Sequence, residues 1–163
     1  MIFILFISFV ILLRIGELLL SKRNEKWLLQ NGAVEYGRKH YPFIVALHIL
    51  FILSVILEYA YGQSVSYSLT LIIIYLLLLI FKGWVIVSLG KFWNTKIYRI
   101  AGISLIKKGP YKYLKHPNYL VVILEIVVIP LSFHLYYTAI IFSLLNAAML
   151  FVRIKEENKA LQI

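Results

Sequence analysis

Thirteen residues in the second half of the chain concentrate polar chemistry that its flanks lack: Lys107-Lys108-Gly109-Pro110-Tyr111-Lys112-Tyr113-Leu114-Lys115-His116-Pro117-Asn118-Tyr119. Gly109-Pro110 breaks the chain, and Pro117 pushes His116 towards an extended backbone while suiting the first turn of a following helix. A helix beginning there would turn its free backbone donors and the positive end of its dipole towards the polar string, where a ligand carboxylate would be welcome. A second polar string, Arg153-Ile154-Lys155-Glu156-Glu157, follows about 35 residues later. On a helix Arg153 shares a face with Glu156 and Glu157 at three- and four-residue spacing, so the string suits either an ordinary surface ion pair or a site in which the acid holds a ligand's amine or hydroxyls and the arginine an anion. The first string likewise admits a plain reading, a basic loop with lysines and tyrosines at head-group level.

Other chemistries are disfavoured by what is missing. The chain has no cysteine and its seven acidic residues are all glutamate, so no thiolate nucleophile, disulfide or cysteine metal site can form. His40, His48, His116 and His134 never form an H-x-x-x-H pair, so no metal is expected. His48 and His134 suit helix packing or an interface rather than catalysis.

Taken in order, G-P-Y-x-x-x-K-H-P-N-Y, an apolar hairpin and R-x-x-E-E resemble the isoprenylcysteine carboxyl methyltransferase family of integral membrane enzymes, over roughly residues 103 to 161. The segment from Lys22 to Pro42 is similar to that of a bacterial branch with small members. The resemblance implies S-adenosylmethionine as cofactor, contacted by Ile103, Ser104, Leu105, Ile106, Tyr111, His116, Pro117, Asn118, Tyr119 and Glu157, with Arg153 facing the methyl acceptor. Lys115 stands where the family usually has arginine, which keeps the charge and loses the planar fork. Ile103 stands where the eukaryotic enzymes have histidine.

The elements that must position these residues are membrane helices. Hydrophobic residues make up 62% of the 163 positions and the mean hydropathy is +0.88, against about 45 to 50% apolar in soluble domains. Five segments are apolar enough to span or nearly so: Met1 to Leu20, Pro42 to Tyr61, Tyr67 to Leu89, Tyr119 to Phe133 and Tyr136 to Val152. The fourth is short, about 22 Å at 1.5 Å per residue, and is expected as one limb of a tight hairpin. The expected fold is therefore an all-α polytopic bundle of about five transmembrane helices in a single domain, 1–163. The segment from Lys22 to Pro42 is expected as a lid, an acceptor-side loop or an interfacial turn anchored by Trp27.

Lysine and arginine number five between Ser21 and Tyr41, seven between Gly90 and Asn118 and three from Arg153 onward, with none in the turns at 62–66 and 132–135. The positive-inside rule then puts the N-terminus outside, the C-terminus and both long connections in the cytoplasm, and a site at 103–161 on the cytoplasmic face. The net charge of +10 is a topology signal that also suits anionic head groups, and no nucleic-acid motif accompanies it. Glu58 and Lys82 are expected near interfaces. Glu125, deeper, is expected to face the bundle interior, paired with Lys82 or lining the acceptor cavity, because an unpaired charge at the bilayer centre costs about 2.5 to 3.5 kcal/mol.

The functional expectation is an S-adenosylmethionine-dependent O-methyltransferase in a bacterial cytoplasmic membrane. Its acceptor is lipophilic and membrane-borne, either a prenylcysteine-type carboxylate or an alkylpyrone- or phenol-type hydroxyl. Phospholipid N-methyltransferases and NADPH-dependent sterol reductases look similar around the same strings, and a small non-enzymatic membrane scaffold is the alternative from another class.

Overall fold

The computed structural model describes residues 1–62 and 66–161. Five helices follow in order: α1 (Ile2–Gln30), α2 (Tyr41–Tyr61), α3 (Leu69–Leu89), α4 (Pro117–Leu131) and α5 (Tyr136–Leu161). Among the described residues α1, α2, α3 and α5 are long and apolar enough to cross a membrane, and α4 is the short helix. The chain is an integral membrane protein. Its outer surface is apolar where a soluble protein would be polar, with Ile80 71% and Leu144 69% exposed, as a lipid-facing surface requires.

Packing is densest at the bundle end that holds the α4–α5 turn. Phe3, Phe6 and Val10 of α1, Phe51 and Val55 of α2, Tyr75 of α3, Ile126 and Ile129 of α4 and Phe142 of α5 form one core with Phe133 from the turn. Phe3 meets Phe133 edge-on, with centroids 5.0 Å apart, a geometry that opposes ring edge to ring face. Polar groups at this end are spent on helix ends: the Glu58 carboxylate accepts from the backbone N–H of Tyr137 at 3.1 Å and Thr138 at 2.7 Å. These are first-turn donors of α5 that have no partner within the helix. Glu58 thus sits at a bundle end, as expected. The α2–α3 turn, expected at 62–66, falls partly outside the described residues.

Lys82 departs from expectation. It is 4% exposed in the middle of α3, bonded to Glu17 and, at 3.0 Å, to Glu125, while Arg14 lies 2.7 Å from the other oxygen of Glu125 and 3.2 Å from Glu17. Two cations and two carboxylates from α1, α3 and α4 neutralise one another inside the bundle, so none of the charges has to reach an interface. Neutralisation by partners is how such groups are tolerated away from water.

At the opposite end the helices outrun their apolar segments. Hydropathy stops near Leu20, yet Ser21, Asn24 and Leu28 are buried on one face of α1, which continues to Gln30 and ends at Asn31 before Gly32 at φ 77°. Beyond it Val34–Tyr36 (β1) pairs antiparallel with Ile97–Arg99 (β2), in the register Val34 with Arg99 and Tyr36 with Ile97. The segment expected as a lid or interfacial turn, Lys22 to Pro42, therefore begins as the end of α1, contributes the three-residue strand β1 and ends in the first residues of α2.

Candidate active site

The connector from Gly90 to His116 is held to α1 before it reaches the polar string. Asn24 donates to the carbonyls of Trp93 at 2.7 Å and Gly90 at 3.2 Å, and Ser21 meets both Asn94 Oδ1 at 3.0 Å and Thr95 Oγ1 at 2.8 Å. Lys96 pairs with Glu25 at 2.6 Å, and the Tyr98 hydroxyl donates to the same carboxylate at 2.6 Å. Burial and that acceptor push the Tyr98 phenol above its ordinary value, so it stays protonated and the bond persists. This clasp fixes where β2 and the following loop lie.

Gly109 then turns the chain at φ +52°, and a Cβ there would stand 2.1 Å from Ser88 Oγ and 2.9 Å from Trp84 Nε1. Only glycine fits both the left-handed backbone and the contact with α3. Residues Gly109–Lys112 form a short 3-10 turn that packs Tyr111 against Val85 and Val121. Burial and the nearby Glu157 raise the Tyr111 phenol. Pro117 starts α4 as its first residue, with His116 as the N-cap.

At this point the two polar strings meet. The Tyr119 hydroxyl donates to Glu157 and accepts from Arg153 Nε at 3.0 Å; Arg153 also donates to the Thr95 carbonyl at 2.7 Å. His116 Nδ1 lies 3.3 Å from the same Glu157 oxygen, and its ring stacks on Tyr119 at 5.0 Å with an 11° interplanar angle. His116 Nε2 is buried and has no hydrogen-bond partner among the described residues. Glu156 turns instead to Lys159 at 2.5 Å, so of the three residues expected on one face only Arg153 and Glu157 join the cluster.

The cluster borders two cavities. One, of about 400 Å³, is lined by Ile103, Ser104, Leu105 and Ile106 together with Tyr111, His116, Asn118, Tyr119, Arg153 and Glu157. The second, of about 370 Å³, lies between α1 and α2 and is mainly apolar, with Ile15, Leu18, Ile49 and Leu53 in its wall. Both are of the size that holds a small organic ligand. Trp93, Asn118 and Arg153 belong to the walls of both.

Most of the residues singled out in the sequence thus surround a single volume. Pro117 is buried within α4, and Glu125, 1% exposed, does not line the apolar cavity, whose wall carries its partners Arg14 and Lys82 together with Glu17, which shares them. Sequence reasoning missed Trp93, Thr95 and Arg99 in the cavity walls, and Asn24 and Ser21 of α1, which hold Trp93 and Thr95. The signal available was the pair of polar residues Ser21 and Asn24 at helical spacing, followed by Leu28 on the same face, just past the apolar segment.

A membrane bundle whose short fourth helix and long fifth helix bring the two polar strings together at the border of two cavities is the architecture on which the chain's class rests. The chain belongs to the isoprenylcysteine carboxyl methyltransferase (ICMT) family, whose sequence pattern matches residues 70–163; it is a membrane methyltransferase of that type. It is 46% identical over 162 residues to the uncharacterized protein YpbQ of Bacillus subtilis (strain 168), covering 98% of this chain and 96% of the relative. It is 30% identical over 158 residues to an uncharacterized protein of Haemophilus influenzae (strain ATCC 51907 / DSM 11121 / KW20 / Rd), covering 93% and 90% of the two chains. No solved structure matches.

Proposed function

We propose that this protein is an S-adenosylmethionine-dependent O-methyltransferase for a lipophilic acceptor that reaches the site from within the bilayer. The observation that carries this reading is the shared wall of the two cavities at Trp93, Asn118 and Arg153. Reactants of opposite polarity can meet there without either leaving its own solvent.

The polar cavity suits the methyl donor. Buried His116 Nε2 lacks a partner, and the Glu157 carboxylate stands ready for an ammonium or ribose hydroxyl. When bound, S-adenosylmethionine supplies an electrophilic methyl group on a sulfonium. The protein's own task is positioning, which can contribute about 7 to 11 kcal/mol of barrier reduction when geometry is favourable. Tyr119 and Thr95 fix the Arg153 guanidinium through two of its donors. Its remaining N–H groups steady the acceptor's oxygen, a carboxylate or an acidic hydroxyl that ionises without an enzymic base. The apolar cavity holds the acceptor's tail and keeps water from the reacting pair. With the basic connections on the cytoplasmic side, the polar cavity opens to the cytoplasm and the apolar cavity to lipid between α1 and α2.

Calorimetric titration of the detergent-purified protein with S-adenosylhomocysteine and NADPH tests the reading. Binding of the former in the micromolar range, about −8 kcal/mol, and none of the latter is expected. A folded sample that binds NADPH or neither compound refutes it.

A further inference from the structure

The cavity wall formed by β2 carries a cation that the clasp leaves unused. Lys96 on the same segment is committed to Glu25 at 2.6 Å, and Lys115 across the cavity donates to Asn158 at 2.9 Å. Arg99 lines the cavity, its Nε is buried with no hydrogen-bond partner, and among the described residues no carboxylate pairs with it. A guanidinium whose donor has given up water without a protein acceptor calls for an anion from elsewhere. Pairing of β2 with β1 fixes the backbone at Arg99, opposite Val34, so the residue is carried at the cavity border while its side chain as a whole is half-buried.

The lining of the same cavity also supplies the opposite charge. Glu157 on α5, which packs against β2, is oriented by Tyr119 and His116. An arginine without a carboxylate partner among the described residues and an oriented carboxylate bordering one volume are complementary to a zwitterion, whose carboxylate and ammonium would take one each.

We propose that Arg99 binds the carboxylate of the methyl donor's amino-acid moiety, opposite Glu157, and so selects donors that retain that carboxylate. This rests on the methyl-donor reading of the cavity and assigns a role to a residue outside both polar strings. Arginine suits the task because its planar fork matches a carboxylate bidentately.

The test is calorimetric titration of the full-length protein and its R99A and R99K variants with S-adenosylhomocysteine and its decarboxylated analogue, S-adenosyl-3-thiopropylamine. The wild type is expected to prefer the carboxylate-bearing ligand by about tenfold or more, the scale of a charged hydrogen bond. R99A should bind both ligands with the analogue's affinity, and R99K should keep part of the preference. Unchanged analogue affinity certifies that the variant site is folded; if R99A does not fold, the partial preference of R99K decides. The proposal is overturned if R99A weakens both ligands equally or retains the wild-type preference. Wild-type binding of S-adenosylhomocysteine without preference over the analogue sinks the Arg99 assignment alone, whereas no binding of either ligand sinks the methyl-donor reading with it.

Discussion

Tyr119 is the residue on which the site turns, since its one hydroxyl accepts from Arg153 at 3.0 Å and donates to Glu157. On the proposed reading the two charges it joins serve different reactants, so their removal should separate kinetically. Arg153→Ala should lower kcat about 100-fold or more, a loss of roughly 3 kcal/mol, with methyl-donor affinity changed little. Glu157→Ala should weaken donor binding about tenfold or more and spare kcat at saturation, since it removes charged hydrogen bonds made in the ground state. Steady-state kinetics with calorimetry on both variants checks this, and a reversed pattern would dismiss the division of roles. Identity of these residues was legible in the sequence because few side chains here are polar. Their partnership was not, because a separation of 34 positions between Tyr119 and Arg153 fixes no distance until α4 and α5 fold back on each other.

At the scale of elements, the connector owes its path to contacts with neighbouring helices rather than to regular structure of its own. Gly109 is the point where that path is least forgiving. Gly109→Ala puts a Cβ 2.1 Å from Ser88 Oγ in a left-handed backbone, costing about 1 to 2 kcal/mol for the backbone alone. A lower thermal midpoint in detergent and weaker donor binding are expected together; wild-type values for both would show that the turn relaxes freely. The continuation of α1 past Leu20 went unread for a physical reason. Hydropathy marks where a helix leaves apolar surroundings, whereas the helix ends where its backbone bonding is capped, here at Asn31 before Gly32 for α1. The β1–β2 pair escaped notice because three-residue strands from segments some 60 residues apart carry no periodicity of their own.

Across the whole molecule, the quartet Arg14, Glu17, Lys82 and Glu125 ties α1 to α3 and α4 beneath the apolar cavity. Its worth lies in being balanced. Glu125→Gln leaves two buried cations facing one carboxylate, and breaking a buried pair costs about 3 to 5 kcal/mol. The variant should therefore unfold at markedly lower temperature in detergent and lose turnover through a misplaced α1. The double variant Glu125→Leu with Lys82→Met, which restores neutrality, should recover much of that stability. Equal stability of Glu125→Gln and wild type would show that the quartet does not hold the bundle. Sequence placed Glu125 inside and offered Lys82 as partner, since a deep charge must be neutralised. It could not supply Arg14 and Glu17, which lie more than 100 residues away from Glu125.

Composition settled that the chain lives in a membrane as an all-α bundle, because the transfer energy of apolar side chains is additive along a sequence and needs no partner. The order of the two polar strings carried the family, because the motif is local in sequence and needs no knowledge of which residues meet in space. Folding added what depends on distance across the bundle: the clasp between α1 and the connector, the neutral quartet, the unpaired Arg99 and the meeting of two cavities at Arg153. Hydrogen bonds and ion pairs act over a few ångströms, and which residues come that close is fixed by how the five helices pack.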